Sequence, residues 1–211
     1  MQILKNIKKL YQALKNEPFE VVKHNLLKRI GIATNPPNVQ NLSDKESIID
    51  ACQEDELLHI SVFNIKFYQN YYSDLAIYDG DIESLQSHWL NHGFKEGRIA
   101  SPIFDLGFYT SVYKDVANYS NNNNYKAIFH WVNHGIPEKR IGSILFDQKF
   151  YAYKNKDIKQ YAKGDSNLYF DHWLKYGIYE KRRCSPFIHL GQYTENLKNL
   201  NKEFSNLDNI L

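Results

Sequence analysis

Residues 104–140 read FDLGFYTSVYKDVANYSNNNNYKAIFHWVNHGIPEKR, and this stretch decides the fold because similar stretches occur on either side of it. Its opening motif, Phe-Asp followed by Phe-Tyr, starts at Phe104 and recurs 42 residues later at Phe146 and, with Asn in place of Asp, 41 residues earlier at Phe63. Self-similarity at a period of roughly 20–50 residues is typical of proteins built from stacked structural units. The sequence therefore predicts tandem repeats, with copies at 63–103, 104–145 and 146–187 and a partial fourth copy at 188–211.

Each copy ends with a shared signature, which is a His-Trp pair followed by a glycine and then by Glu-x-Arg. These pairs contain all three tryptophans of the chain, and we expect the three indole rings to be buried at equivalent positions. The signature residues are His88, Trp89, Gly93, Glu96 and Arg98 in the first copy, His130, Trp131, Gly135, Glu138 and Arg140 in the second, and His172, Trp173, Gly177, Glu180 and Arg182 in the third.

Local signals within each copy predict helices. An Asn or Asp stands before the Phe-Tyr anchors as an N-cap, and a second Asp seven residues after the anchor Phe is interpreted as the cap of another short helix. The glycine after Trp is predicted to take the left-handed position that ends a third helix. No stretch alternates with a period of two, so the predicted class is all-α. The first caps are Asn64, Asp105 and Asp147, and the second are Asp74, Asp115 and Asp157.

Composition excludes several classes of protein. The chain has 211 residues, of which 43% are hydrophobic and 24% charged, a balance typical of globular domains. A net charge of +2 does not indicate a nucleic-acid partner, and no apolar run approaches the ~20 residues that span a bilayer. Cys52 and Cys184 lie too far apart for a metal or redox motif, which excludes a disulfide scaffold and favours a reducing compartment.

The N-terminal region differs in charge from the rest. Residues 1–31 carry seven Lys or Arg against two Glu, and Ile3, Ile7, Leu10 and Leu14 fall on one helical face. Two interpretations of this basic arm remain open: a helix on an anionic membrane surface, or a helical hairpin that packs onto its own protein. Residues 32–62 are read as a linker followed by a capping helix from about residue 44 to about residue 58.

The signature over residues 63–193 resembles a repeat of bacterial glycosyltransferases and cell-surface proteins, with the pattern Phe-Asp-x-x-Tyr-Tyr, Pro-Asp-Val, His-Tyr-x-x-x-Gly-x-x-Glu-Gly-Arg. This chain departs from it with Trp in the Tyr slot and with Lys139 and Lys181 in the Gly slot. The resemblance implies a non-catalytic interaction module of surface-polysaccharide synthesis. Its expected partner is a protein or a glycosyltransferase domain, in the cytoplasm, with the arm as a possible contact to the inner face of the membrane. The alternatives are an accessory region of a glycosyltransferase whose catalytic domain lies elsewhere, and a carbohydrate-binding module that uses exposed Tyr and Trp rings.

Three patterns suggest chemistry, and for each we favour a structural role. His88 and His92, like His130 and His134, have the i, i+4 spacing of metal ligands, but the third copy has Tyr176 at the second position. The sequence Asp79-Gly80-Asp81 is similar to the Asp-x-Asp of glycosyltransferases, yet it falls in a variable loop. The Glu-x-Arg pairs could hold a sugar or phosphate, whereas their recurrence favours structural ion pairs. We therefore predict no catalytic, cofactor or metal residue, and no cofactor.

Overall fold

The computed structural model of the protein describes residues 51–188, which form short helices and tight turns without a β-strand. The predicted all-α class is confirmed for this part of the chain. The arm at 1–31, the segment from 32 to 50 and the fourth copy beyond Ile188 lie outside the described residues. Among the helices that are described, none combines the length and the apolar character needed to cross a membrane.

The same order of elements occurs three times after helix α1 (Ala51–Leu57). Each copy has a first, a second and a third short helix, and the third continues into one π-helical turn. The first copy contains α2 (Ile65–Tyr71), a 3-10 helix (Ser73–Tyr78), α3 (Ile82–His88) and the turn Trp89–Gly93. The second contains α4 (Leu106–Val112), α5 (Lys114–Ser120), α6 (Asn124–His130) and the turn Trp131–Gly135. The third contains α7 (Gln148–Lys154), α8 (Lys156–Ala162), α9 (Ser166–His172) and the turn Trp173–Gly177.

The first helix of each copy begins at a side-chain cap. The carboxylate of Asp105 accepts a hydrogen bond of 3.0 Å from the backbone N–H of Phe108. Asn64 and Asp147 make the same bond at 2.9 and 3.1 Å to the N–H three residues ahead. Each cap satisfies one of the donors that a helix N-terminus leaves free, as the sequence predicts.

The second acidic position is not a cap, and that prediction is wrong. The cap residue of the second helix is Tyr113 in the second copy, and its side chain makes no capping bond. Asp115 lies in the first turn of this helix, and Asp74 and Asp157 have the same placement in their copies. Their carboxylates contact an arginine from the end of the copy. Charge-assisted bonds of this kind are stronger than bonds between neutral groups.

The predicted left-handed glycines are also wrong. Gly135 lies inside the π-helical turn, and the left-handed residue comes four positions later at Lys139, with φ 58°. Gly135 is needed for space, since a Cβ there would lie 2.3 Å from the hydroxyl oxygen of Tyr109. The same close approach, at 2.1 and 2.4 Å, occurs at Gly93 and Gly177. The glycine of each signature therefore makes room for a tyrosine hydroxyl.

The tryptophans lie at the centre of an aromatic core, as predicted. Trp89 and Trp131 are each 2% exposed and Trp173 is fully buried. In the second copy the ring of Phe104 stacks on Trp131 at 5.3 Å between centroids, and Tyr109 meets the indole edge-on at the same distance. Corresponding Phe–Trp contacts occur at 5.8 Å in the first copy and 4.8 Å in the third. Such rings bury a large apolar area with few side chains.

Neighbouring copies are joined through the segments that follow each signature. The Ser143 hydroxyl donates to the Pro102 carbonyl at 2.6 Å, and the Ser185 hydroxyl donates to the Ile144 carbonyl at 2.8 Å. Pro102 belongs to the first copy, Ser143 and Ile144 belong to the second, and Ser185 belongs to the third. The two bonds therefore link the three copies in series. The segment after α1 reaches the second copy, where Trp131 Nε1 donates to the Ser61 hydroxyl at 2.9 Å.

Candidate functional site

A polar cluster recurs on each copy, and it contains every signature residue that suggested chemistry. Its first part is a tyrosine–histidine pair between the first and third helices. The hydroxyl of Tyr109 lies 3.0 Å from Nδ1 of His130. The pairs Tyr68–His88 and Tyr151–His172 have distances of 2.9 and 2.8 Å. The histidine of the signature thus holds the tyrosine whose hydroxyl approaches the signature glycine.

The second part of the cluster is an arginine between two carboxylates. Arg140 contacts Asp115 at 2.7 Å and also Glu138, its neighbour in the Glu-x-Arg motif. Its guanidinium lies 4.7 Å from the ring centroid of Tyr113, a cation–π distance. The hydroxyl of Tyr113 accepts a hydrogen bond of 3.0 Å from the N–H of Ile141. The arginine therefore ties the end of the copy to the start of its second helix.

The first and third copies repeat this arrangement with one change. Arg98 pairs with Asp74 and Glu96 and lies over Tyr72, also at 4.7 Å from the ring centroid. In the third copy, Asn155 takes the place of the tyrosine, so Arg182 has its two carboxylates but no ring beneath it. The Arg182 side chain is 26% exposed, against 19% for the other two arginines.

The electrostatics of the cluster favour a neutral histidine and a charged aspartate. Burial, together with the nearby Arg140, lowers the pKa of His130, and burial raises the pKa of Tyr109 well above its ordinary value. At neutral pH the tyrosine hydroxyl is then protonated and the imidazole is neutral, and the two share one hydrogen bond whose direction follows the tautomer of the imidazole. The hydrogen bond from Arg140 lowers the pKa of Asp115. The same directions hold in the other copies for His88, His172, Asp74 and Asp157.

The histidine pairs that suggested a metal contact each other through their rings. The ring centroids of His88 and His92 are 5.5 Å apart, and those of His130 and His134 are 5.2 Å apart. One nitrogen of the first histidine in each pair is engaged by a tyrosine. Over residues 51–188, no group of three or more His, Cys, Asp or Glu side chains is arranged to hold a metal ion.

The Asp79-Gly80-Asp81 sequence forms the connection between two helices. Asp79 is left-handed, with φ 42°, and ends the 3-10 helix. The carboxylate of Asp81 caps α3 by accepting from the N–H of Glu83 at 3.1 Å, and it also accepts from the Ser84 hydroxyl at 2.6 Å. Both acidic residues thus have a role in the turn, in agreement with the loop predicted for this stretch.

A cleft that sequence reasoning missed lies between the first and third copies. Its volume is about 450 Å³, and its lining includes Ile65 at the start of α2 together with Leu174 and Ile178 of the third copy. Tyr176 and Tyr179, which are 55% and 49% exposed, also line it. Their equivalents are His134 and Pro137 in the second copy, so no recurring signal in the sequence marks this surface. The cleft joins the first and third copies, which are not consecutive in the sequence, so it depends on how the copies stack.

The Arg–Asp pairs were also missed, although a signal for them exists. Asp74, Asp115 and Asp157 recur with the same period as the arginines, and this joint recurrence is compatible with a contact as well as with a cap. The distances between partners along the chain, 24 or 25 residues, do not identify the pairing without the fold.

Comparisons of this chain with protein-family models, with curated proteins and with solved structures find no match.

Proposed function

We propose that the chain is a non-catalytic helical-repeat module that binds a protein partner, namely a glycosyltransferase of bacterial surface-polysaccharide synthesis or one of its domains. The observation that carries the proposal is that the recurring polar residues contact one another. Tyr109 engages His130, and Arg140 engages both Asp115 and Glu138. Side chains occupied in this way stabilise the copy and leave their polar atoms less available to a substrate.

The recurrence itself supports this division of roles. An active site requires one constellation of groups, whereas the tyrosine–histidine and arginine–aspartate contacts are present in all three described copies. Features that repeat with the fold are expected to maintain it, and features found in a single copy are the better candidates for recognition. The cleft beside Tyr176 and Tyr179 is a feature of this second kind.

The cleft has the composition of a protein-binding surface. Its apolar wall includes Ile65, Leu174 and Ile178, and its edge carries the exposed Tyr179 and the ion pair between Lys175 and Asp171, at 2.7 Å. Apolar centres with tyrosine and a polar rim are enriched where proteins associate. The link to glycosyltransferases rests on the resemblance of the repeat, and a cytoplasmic location is proposed on the same basis.

The two alternatives make different demands on this surface. An accessory region of a glycosyltransferase would use the cleft against its own catalytic domain. A carbohydrate-binding module would need exposed rings, and the three tryptophans, at 0–2% exposure, are not available for it. Among the Phe, Tyr and Trp rings of the described part, the exposed ones are tyrosines, at positions 119, 153, 161, 176 and 179.

Site-specific photo-crosslinking in the native host tests the binding proposal. A benzoyl-phenylalanine at Tyr179 is expected to cross-link to a glycosyltransferase, identified by mass spectrometry. The matched control is the same probe at Tyr153, which is 71% exposed and does not line the cleft. Equal yields of the same adducts at both positions would refute a specific partner at the cleft.

A second measurement tests the absence of catalysis. The purified full chain is incubated with UDP-, GDP- and dTDP-sugars, and release of the nucleoside diphosphate is followed. We expect the nucleoside diphosphate to be released no faster than in a blank that contains buffer without protein. Turnover that is abolished by Asp81→Asn or His88→Ala would instead establish an enzyme.

A further inference from the structure

The first copy exposes two aliphatic side chains that have polar counterparts in the other copies. Ile77 is 79% exposed and Ile82 is 58% exposed, while the other exposed large hydrophobic residues of the described part are tyrosines. Ile77 corresponds to Asn118 and Gln160. Asn118 and Gln160 are exposed too, so this position lies outside the interface between copies, and Ile77 is an apolar side chain that only the first of the three described copies exposes there.

The position of Ile82 shows what this end lacks. Asn124, which like Ile82 is the first residue of a third helix, donates to the carbonyl of Phe94 in the preceding copy at 2.9 Å. Ser166 at the same position contacts Lys139 of its preceding copy at 2.9 Å. The first copy has no full copy before it, and terminal repeats require a cover that differs from the internal interface.

The same surface of the first copy also differs in charge from its counterparts in the other two copies. Asp79, Asp81 and Glu83 are all exposed and fall in the same short stretch of the chain as the two isoleucines, residues 77–83. Their counterparts are Asn, Asn and Tyr in the second copy, and Lys, Asp and Asn in the third. An open cleft of about 360 Å³ adjoins the patch and is lined by Asp81, Glu83 and the imidazoles of His88 and His92. The acidic apolar end face, defined by Ile77, Ile82 and these three carboxylates, thus complements a basic amphipathic segment.

The chain itself contains such a segment. Residues 1–31 combine seven basic side chains against two acidic ones with an apolar stripe that includes Ile3, Ile7 and Leu10. The 19 residues from 32 to 50 join this arm to α1, and an extended chain of that length reaches roughly 60 Å. We propose that residues 1–31 dock on the acidic apolar end face and cap the stack of repeats. The arm's stripe would then cover the isoleucines, with its lysines facing the carboxylates.

Thiol labelling of the full chain tests the docking. Ala76→Cys places a reporter on the end face and keeps both isoleucines, and Lys159→Cys places one at the equivalent exposed position of the third copy. Cys52→Ser is included in both variants, and Cys184 is buried, with a thiol pKa raised by burial to about 12. With the native arm, a bulky maleimide is expected to label position 76 at least ~10-fold more slowly than position 159.

Variants of the arm, and changes in salt, protein concentration and lipid, complete the test. Ile7→Ser with Leu10→Ser is expected to bring labelling at 76 close to the rate at 159, and higher salt is expected to reduce the protection because it screens exposed charges. Equal labelling at 76 and 159 with the native arm would overturn the proposal. Labelling at position 76 that becomes slower as the protein concentration rises would also overturn it, because a second molecule of the protein would then cover the face. Loss of protection on adding phosphatidylglycerol vesicles would assign the arm to the membrane and overturn it as well.

Discussion

Replacing Gly135 by alanine should destabilise the second copy through a single added methyl group. The new Cβ would lie 2.3 Å from the hydroxyl oxygen of Tyr109 and 2.8 Å from Cε3 of Trp131. Tyr109 is fully buried and Trp131 is 2% exposed, so neither ring has free space to move into. Overpacking of this kind costs about 1–3 kcal/mol. Displacing the tyrosine hydroxyl from His130 adds about 1–3 kcal/mol for a buried polar atom that loses its partner.

The two costs add to about 2–6 kcal/mol, and the higher helix propensity of alanine offsets about 1 kcal/mol, so we expect a net loss of about 1–5 kcal/mol. In a chain of this size such a loss lowers Tm by about 2–20 °C. The assay is thermal unfolding followed by circular dichroism at 222 nm, with urea unfolding as an independent measure. Gly107→Ala is the matched control, because its Cβ would lie 3.4 Å from the nearest heavy atom and the position is exposed in α4. The control is expected to leave Tm unchanged or raise it slightly.

A double-mutant cycle identifies the cause. Tyr109→Phe removes the atom that the added Cβ meets, and the next atom of that ring lies at 3.1 Å. The combined variant should therefore lose less stability than the sum of the two single variants. If Gly135→Ala melts within about 1 °C of the parent, or if the two effects simply add, the close approach of the hydroxyl does not explain the glycine.

Three further predictions concern the core and the polar cluster. Trp131→Ala should cost about 3–5 kcal/mol in urea unfolding because it empties a fully packed site, and a parent-like midpoint would contradict the core assignment. Because the pKa values of His88, His130 and His172 are lowered in the folded state, the stabilisation they confer is present above the unfolded pKa of about 6.5 and is lost as pH falls through the folded values. The urea midpoint should thus drop between pH 7.5 and pH 5, and less steeply in His130→Gln. A urea midpoint that does not change with pH would refute the pairing of a neutral imidazole with the tyrosine hydroxyl. In a Cys52→Ser background, Cys184 should not react with a disulfide reagent at pH 8 until denaturant is added, because its thiol is buried and its pKa is raised to about 12; rapid reaction of the native protein would contradict its burial.

The sequence alone determined the class of fold and much of each copy's local structure. N-caps such as Asp105 and the turn at Asp79-Gly80-Asp81 were predictable because capping and turn formation depend on residues three or four positions apart. The burial of Trp131 was predictable because a large ring at a recurring position has no other low-energy place in a small domain.

Only the tertiary structure decided which distant residues meet. The sequence offered Asp115 a cap and Gly135 a left-handed turn, and both assignments failed because the competing partners, Arg140 and Tyr109, lie about 25 residues away along the chain. The bond between an arginine and a carboxylate is strong because it is charge-assisted, and a buried hydroxyl excludes a Cβ, but neither effect has a local signature. The cleft at Tyr179 and the exposure of Ile82 depend on stacking between copies. Repetition in the sequence describes what the copies share, whereas these surfaces arise where the copies differ or where the stack ends.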